Sequence, residues 1–416
     1  MSQLNYMDKL LDGVEVEWKE LWQVTTWDKK FNAVEREKQP NVIKYHYFLA
    51  KDLKSLALEN GDVKLLTTNS SNIWTSEELA GDKISEGEII AIPWGGNPII
   101  QYYKGKFVTT DNRIATSTEK NILSNKFIYY YLLSKIDLVS SFYRGSGIKH
   151  PSMYDVLHIS IPIPPLNIQA KIVRFLDAFT ELTAELTAEL VARKQQYTYY
   201  REQLLTFEEG KVEHLPMGTE GIGQFVRGKG LQKKDFTETG VGCIHYGQVY
   251  THYDAYAYST KTFVSTEFAK KARKAQYGNL IIATTSENDE DVCKAVAWLG
   301  NEEIAISNDA CIYKHTLNPK FVSYFFQTEQ FQKQKIQYIT GTKVRRVNAD
   351  SLAKIKIPVP SLAEQKRIVT ILDKFDALTT SLTEGLPREI ELRQQQYEYY
   401  RELLLSFPKA EVADHD

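Results

Sequence analysis

The chain has 416 residues, 43% of them hydrophobic and 25% charged, with a formal net charge of −2. That is the make-up of an ordinary globular protein with room for about two or three cores, and it excludes a wholesale polycation, so any nucleic-acid contact has to come from local basic patches. No run approaches ~20 consecutive apolar residues, which excludes a helical membrane span. Polar residues follow Met1, and Cys243, Cys293 and Cys311 show no CxxC spacing, so no leader, a reducing compartment and a cytoplasmic location are expected.

Residues 1–160 read as a mixed α and β domain. VEVEW (Val14–Trp18), DVKLL (Asp62–Leu66), EIIAIPW (Glu88–Trp94) and KFVTT (Lys106–Thr110) are β-branched runs of strand length, with a turn at Gly95–Pro98. NKFIYYYLLSKI (Asn125–Ile136) reads as a largely buried helix. A glycine-rich basic loop, RGSGIKH (Arg144–His150), precedes a closing strand, LHISIPIP (Leu157–Pro164).

Residues 161–209 read as one long helix, with apolar residues at helical spacing (Ile172, Val173, Leu176, Phe179, Leu182, Leu186, Leu190). Its start is weakly capped, because Asn167 is followed by Ile168 rather than an acid. Residues 210–356 then repeat the order of the first domain. CIHYG (Cys243–Gly247), NLIIATT (Asn279–Thr285) and AVAWLG (Ala295–Gly300) are strands, and PKFVSYFFQTEQFQKQ (Pro319–Gln334) is a helix. A basic loop, TGTKVRRV (Thr340–Val347), and a closing strand, AKIKIPVP (Ala353–Pro360), follow. Residues 357–408 form a second long helix with a capping box at Ser361 and Glu364, the stripe Ile368, Ile371, Leu372, Phe375, Leu378 and Leu382, and a kink expected at Gly385-Leu386-Pro387. Residues 409–416 are a tail.

The repeat is explicit in the helices. IPIPPLNIQAKIVRFLDAF (Ile161–Phe179) returns as IPVPSLAEQKRIVTILDKF (Ile357–Phe375), offset by 196 residues (357 minus 161). RKQQYTYYREQLLTF (Arg193–Phe207) returns as RQQQYEYYRELLLSF (Arg393–Phe407), offset by 200 (393 minus 193). Gly145 and Gly341 share the offset of 196, so the duplication takes in the domains as well. The expected fold is therefore α+β (mixed α/β): two globular domains separated by two long helices packed as an antiparallel coiled coil, a pseudo-two-fold internal repeat. Inside the first helix TAEL occurs twice in tandem (Thr183–Leu186, Thr187–Leu190), and each unit would add ~6 Å and ~40° of rotation.

Catalytic motifs are sought without result. No Walker loop, GxSxG, HExxH or zinc spacing is found, and Asn97-Pro98 and Asn318-Pro319 lack the aromatic continuation of an adenine methyltransferase motif. No catalytic residue and no metal site is expected; the acidic run Glu287, Asp289, Glu290 and Asp291 reads as a solvated turn in preference to an ion site. What stands out is basic and aromatic. Phe331–Ala349 carries Lys333, Lys335, Lys343, Arg345 and Arg346 with no acid; Arg227, Lys229, Lys233 and Lys234 flank Gly228 and Gly230; Lys270, Lys271, Arg273 and Lys274 make a third patch. A basic glycine-rich loop can approach phosphates with backbone N–H groups and reach guanine with arginine. The candidate DNA contacts are Arg144, Ser146, Lys149, Arg227, Lys229, Lys233, Lys234, Tyr246, Tyr250, Thr342, Lys343, Arg345 and Arg346. Two competing readings stay open: a coiled-coil adaptor with two globular heads and no DNA role, and a self-contained DNA modifier with a degenerate motif.

The paired IPxPxLxxQxxIVxxLDxF and RxxQYxYYRxxLLxF segments, with RGKGLQKKDF (Arg227–Phe236), resemble the specificity subunit of type I restriction–modification systems, and the TAEL repeat resembles its type IC branch. The resemblance implies target-recognition domains at 1–160 and 210–356, each reading one half of a bipartite asymmetric site in double-stranded DNA. It implies helices that set the gap and dock two modification (methyltransferase) subunits, with restriction (translocase/nuclease) subunits joining. S-adenosylmethionine, ATP and Mg are then expected on those partners and no cofactor in this chain. Candidate spacer and docking residues are Leu176, Phe179, Leu186, Leu190, Tyr200, Arg201, Leu372, Phe375, Tyr400 and Arg401. The pairs Arg201-Glu202 and Arg401-Glu402 read equally well as solvated helix faces.

Overall fold

The protein is described here from a computed structural model covering residues 9, 11, 13–70, 72–208, 210–381 and 383–408. Leu382 of the apolar stripe, Glu209 at the end of the first helical segment and the tail 409–416 lie outside the described residues. Six helices carry the argument: α1 (Asn125–Ser134), α2 (Leu166–Leu205), α3 (Pro319–Phe325), α4 (Glu329–Ile336), α5 (Leu362–Thr380) and α6 (Leu386–Leu405).

The described residues form two compact units, one drawn from positions up to 184 together with 392–408, the other from 185–391. Each therefore takes one copy of each repeated helical segment. The first unit holds a six-stranded sheet in the order Thr25–Trp27, Asn112–Ser117, Ser85–Pro93, Gln101–Thr109, Val63–Leu66, Trp74–Thr75. The Ser85–Pro93 strand is buried over its second half, and the turn at Gly95–Pro98 links it to Gln101–Thr109 as expected. The second unit holds two five-stranded sheets. One runs Gly223–Arg227, Ala310–His315, Leu280–Ala283, Ala295–Trp298, Tyr256–Ala257; the other runs Phe236–Thr237, Thr262–Val264, Val241–Ile244, Ile304–Ile306, Lys274–Ala275. In both units the entry strand pairs antiparallel with the strand that leads into the repeated helix, Glu17–Glu20 with Ser160–Ile163 and His214–Pro216 with Lys356–Pro358.

The invariant polar residues of the repeat turn out to be clamps. The Gln169 side chain accepts from the Ser124 N–H (2.9 Å) and donates to the carbonyls of Ile122 and Pro164; Gln365 accepts from the Asn318 N–H (2.7 Å) and donates to Pro360. Both glutamines are almost completely buried, so each satisfies backbone groups at the point where helix and domain join. The LDxF aspartates clamp side chains about two turns further on. Asp177 holds Lys126 Nζ (2.7 Å) and the Tyr130 hydroxyl (2.6 Å) of α1; Asp373 holds Lys320 Nζ (2.8 Å) and the Tyr324 hydroxyl (2.6 Å) of α3.

Where the helices meet inside each unit they run antiparallel. In the first unit Phe175 and Phe179 pack on Tyr400, while Leu404, Leu405 and Phe407 join the core with Ile168, Ile172 and Leu176. In the second unit Tyr197 and Tyr200 stack on Phe375, while Leu205 joins Ile368 and Leu372. The numbering on the two partners runs in opposite senses in both cases.

Five sequence expectations need correction. The last helical segment is two helices, not one kinked helix: α5 stops at Thr380, the Ser381 hydroxyl accepts from the N–H groups of Thr383 and Glu384, and Gly385 (φ +82°) turns the chain into α6. Pro387 sits in the first turn of α6, where no intrahelical donor is needed. Asn167 is inside α2 and not its cap; the position matching Ser361 is Pro165, whose carbonyl accepts from Ile168 and Gln169. Ser361 does cap α5, but Glu364 turns to Arg367 instead of closing the box. Finally, Pro319–Gln334 divides into α3 and the start of α4, because Thr328 caps a new helix, and the strand around Cys243 gives way at Tyr246 to the short helix Tyr246–Thr251.

Candidate nucleic-acid interface

Both glycine-rich basic loops are β-hairpins of one design. Gly145 (φ +141°) and Gly341 (φ +91°) open the turns, and a Cβ on either would lie 2.8 Å from the Ile148 carbonyl oxygen or 2.1 Å from that of Val344. Only glycine tolerates that combination of dihedral and crowding. Register is conserved along with the turn: Arg144 pairs with His150, and Thr340 pairs with Arg346, each partner 196 residues on (340 minus 144; 346 minus 150). Each tip exposes a β-branched residue, Ile148 (70%) or Val344 (44%), amid basic neighbours.

Each hairpin lies along the segment that leaves a central strand. In the first unit the Gly96 N–H donates to the Lys149 carbonyl (3.1 Å) and His150 Nδ1 meets the Trp94 carbonyl (2.7 Å). In the second, Thr285–Ser286 pairs antiparallel with Arg345–Arg346. These segments are anchored alike, the Trp94 N–H on the Asp111 carbonyl (2.8 Å) and the Thr284 N–H on that of Asp309 (2.9 Å). The equivalence inferred from sequence thus extends to the backbone partners of the loops.

In the second unit the geometry gathers several predicted residues. Arg227 and Arg346 line one cavity of about 230 Å³ with Thr284, Asp309, Thr340 and Asn348. Arg227 Nε donates to the Asn308 carbonyl (3.0 Å), which orients the guanidinium at the strand end. Thr342 and Lys343 are exposed at the turn, and Lys229 is exposed beside Gly228, whose own Cβ would meet the Ser307 carbonyl at 2.0 Å. Lys233 and Lys234 sit exposed on the single turn Lys233–Asp235. Tyr246 is half-buried against His245, ring centroids 4.5 Å apart; burial, and next the charge of Lys233, hold that histidine's pKa below its ordinary value. Tyr250 does not face outward: its hydroxyl donates to the carbonyls of Thr285 (2.7 Å) and Ala283 (3.3 Å), a strut beneath the hairpin's partner strand. Lys335, counted in the basic stretch, is fully buried, and burial lowers its pKa. The patch at 270–274 is partly neutralised, Lys271 by Glu267 and Lys274 by Glu303.

The first unit is thinner in charge. Arg144 pairs with Asp155 at 3.2 Å, and Ser146 and Lys149 are exposed on the hairpin. Sequence reading missed its most organised group, in which the Arg113 guanidinium lies 4.1 Å over the Trp94 ring and His150 packs on the same ring at 5.3 Å. The signal was present as a tryptophan between a buried strand and a Gly-Gly turn.

The helix residues divide. Leu176 and Leu372 are fully buried, Leu186 and Leu190 half-buried, and Phe179, Tyr200, Phe375 and Tyr400 form the aromatic contacts above. Arg201 donates to Gln327 (3.0 Å) and lies over the Tyr197 ring, and the Glu202 carboxylate accepts from the Glu329 N–H at the start of α4. These two are occupied within the second unit. Arg401 lies over Tyr397 in the matching way. The repeated Tyr199 and Tyr399 are the aromatic pair left outward, 60% and 54% exposed.

Comparison with known proteins decides the family. The family described as type I restriction modification DNA specificity domain matches residues 28–193 and 220–392. The chain belongs to this family. The specificity subunit of the type I restriction enzyme EcoR124I/EcoR124II of Escherichia coli is 34% identical, the match covering 100% of both chains. A putative type I restriction enzyme specificity subunit of Haemophilus influenzae is 32% identical over 97% of this chain and 98% of its own. The crystal structure of the S subunit from M. genitalium is similar in fold, with TM-score 0.57 at 15% identity over 96% of this chain and 98% of that one. The specificity subunit is thus a non-catalytic DNA-recognition protein with two recognition domains, of a family that works within restriction–modification assemblies. No helix among the described residues is long and apolar enough to cross a membrane.

Proposed function

We propose that each compact unit reads one half of a bipartite, asymmetric double-stranded DNA site through its glycine hairpin and the strand-end segment beside it. The observation that carries this reading is the hairpin itself, built twice with the same register, the same obligatory glycine and a basic flank. Lys343, Arg346 and Arg227 supply phosphate contacts, the sequence-independent and salt-sensitive part of binding.

The helices set the unread gap. Both TAEL units lie inside the unbroken 40-residue helix α2. The repeat points to the type IC branch. Two modification subunits dock on the repeated helix ends, with Tyr199 and Tyr399 as matched contacts, and restriction subunits join that core. S-adenosylmethionine, ATP and Mg belong to those partners, in the cytoplasm where host DNA is found. Adding one TAEL should extend α2 by ~6 Å and rotate it by ~40°, against ~36° per base pair of B-DNA. Methylome sequencing of a strain carrying the insertion, with its cognate modification subunits, should show the gap longer by about one base pair, at most about two. An unchanged gap would remove the spacer role.

A further inference from the structure

The acidic run that reads as a solvated turn is built into the hairpin of the second unit. Arg345 Nε is 2.8 Å from Asp289 Oδ1, and its Nη1 donates to the Gly341 carbonyl (2.6 Å). Two of the five guanidinium N–H donors are thereby fixed, one by a carboxylate and one by the turn that Gly341 makes. The remaining donors lie on the Nη1 and Nη2 ends, the edge that can bind guanine O6 and N7 as a pair.

Asp289 is itself held in place. The Asp291 N–H donates to Asn288 Oδ1, and Asn288 Nδ2 to Asp291 Oδ2, both at 2.7 Å, which closes the turn around it. The fully buried Lys335 reaches from α4 and donates to the carbonyls of Glu290 and Val292, both at 2.9 Å. Cys293, in the left-handed region at φ +73°, then returns the chain to the sheet through its N–H on the Ala283 carbonyl. A lysine placed in the interior only to tie down two carbonyls marks a loop whose position matters.

We infer that Asp289 is a positioning residue for DNA recognition, holding Arg345 so that it reads a base instead of gripping a phosphate. This rests on the hairpin being the DNA reader. The Arg345–Asp289 pair carries no net charge and its carboxylate repels a phosphate, whereas Lys343 and Arg346 at neighbouring positions form no ion pair with a carboxylate among the described residues. The arginine keeps its donors, loses its freedom to swing to the backbone, and gains selectivity from both.

The test uses the subunit assembled with its cognate modification subunits, scoring methylation on DNA libraries randomised in each half-site. Arg345→Ala should lose about ten- to hundredfold discrimination at one base pair of the second half-site, the range of a bidentate arginine contact. Asp289→Ala should lose discrimination at that same base pair, leave the first half-site unchanged, and steepen the salt dependence by about one phosphate as the released arginine turns to the backbone. Asp289→Glu should restore part of the discrimination, and the double variant should be no worse than Arg345→Ala alone. If Arg345→Ala loses discrimination while Asp289→Ala and Asp289→Asn keep it, the positioning role is overturned and the pair is a surface ion pair. If Arg345→Ala itself changes nothing at either half-site, the reading of this hairpin as the DNA reader fails, and the inference with it.

Discussion

The two hairpins share their backbone and differ in what surrounds them. Common to both are the left-handed glycine, the register, the exposed Ile148 or Val344 at the tip and the partner segment at the end of a central strand. Around the first, charge is sparse and aromatic: Arg113 stacks on Trp94 and Arg144 is paired with Asp155. Around the second, Arg227 and Arg346 line one cavity, and the neighbouring Arg345 is held by Asp289. Two domains with little sequence identity keep the same hairpin, which makes it, under the proposed function, the element common to reading both half-sites. On the proposed reading, the neighbours that differ are the ones that discriminate bases. A duplicated gene can vary those neighbours without disturbing the scaffold that presents them.

The strongest way to break this comparison is to remove the shared scaffold. Gly341→Ala places a Cβ 2.1 Å from the Val344 carbonyl at a positive φ, and Gly145→Ala a Cβ 2.8 Å from that of Ile148. A left-handed non-glycine residue costs of order 1–3 kcal/mol before any clash. Half-site randomised methylation assays should show discrimination lost about a hundredfold or more in the second half for Gly341→Ala, and less completely in the first half for Gly145→Ala. Equal tolerance of both would mean the hairpins do not face DNA.

Next in size are the helix clamps, which look identical but differ in burial. The Lys320 side chain is 14% exposed and Lys126 32%. Lys320 also sits 3.6 Å over the Tyr256 ring. Asp373→Ala strands the more buried cation and should cost about 2–3 kcal/mol, whereas Asp177→Ala should cost about 1–2 kcal/mol. Chemical denaturation of both variants checks the order, and an equal loss would show that burial does not separate the two clamps.

How much of this was legible in the sequence follows from what sequence patterns encode. The duplication, the long helices and the basic loops were legible, because each is a local or periodic signal repeated at a fixed offset. The sharing of the helices between units was not, since the contact of Tyr400 with Phe175 and Phe179 joins residues more than two hundred positions apart. Side-chain commitment was equally invisible. Tyr250, Lys335 and Arg201 looked like surface chemistry until their partners, the carbonyls of Thr285 and Val292 and the Gln327 amide, were in view. The break between α5 and α6 was half legible: the Gly-Leu-Pro cluster marked a disturbance, but the Ser381 turn that ends the helix earlier carries no such signature.

The smallest expected effect concerns a position where the two copies diverge by one carboxylate. Asp376 occupies the place of Thr180, 196 residues earlier (376 minus 180), and is 7% exposed. Burial lifts its carboxyl to about 6 from the ordinary 3.8; the Thr380 hydroxyl opposes the shift, and Asp254 and Asp373 add to it. Because the folded pKa is raised, the folded chain binds more protons than the unfolded chain between about 3.8 and 6. Stability must therefore fall as pH rises through that window and level off above it. Asp376→Asn removes the buried charge while keeping an acceptor for Thr380. It should raise stability by about 1–2 kcal/mol at pH 7.5 and by almost nothing near pH 4, flattening the curve between. Thr180 is exposed, so Thr180→Asp in the first unit should add a solvated carboxylate and leave stability level across the same window. Denaturation midpoints of the three proteins across this range decide it: parallel curves for the parent and Asp376→Asn would mean that the carboxylate is solvated, and that the two copies do not differ in this respect.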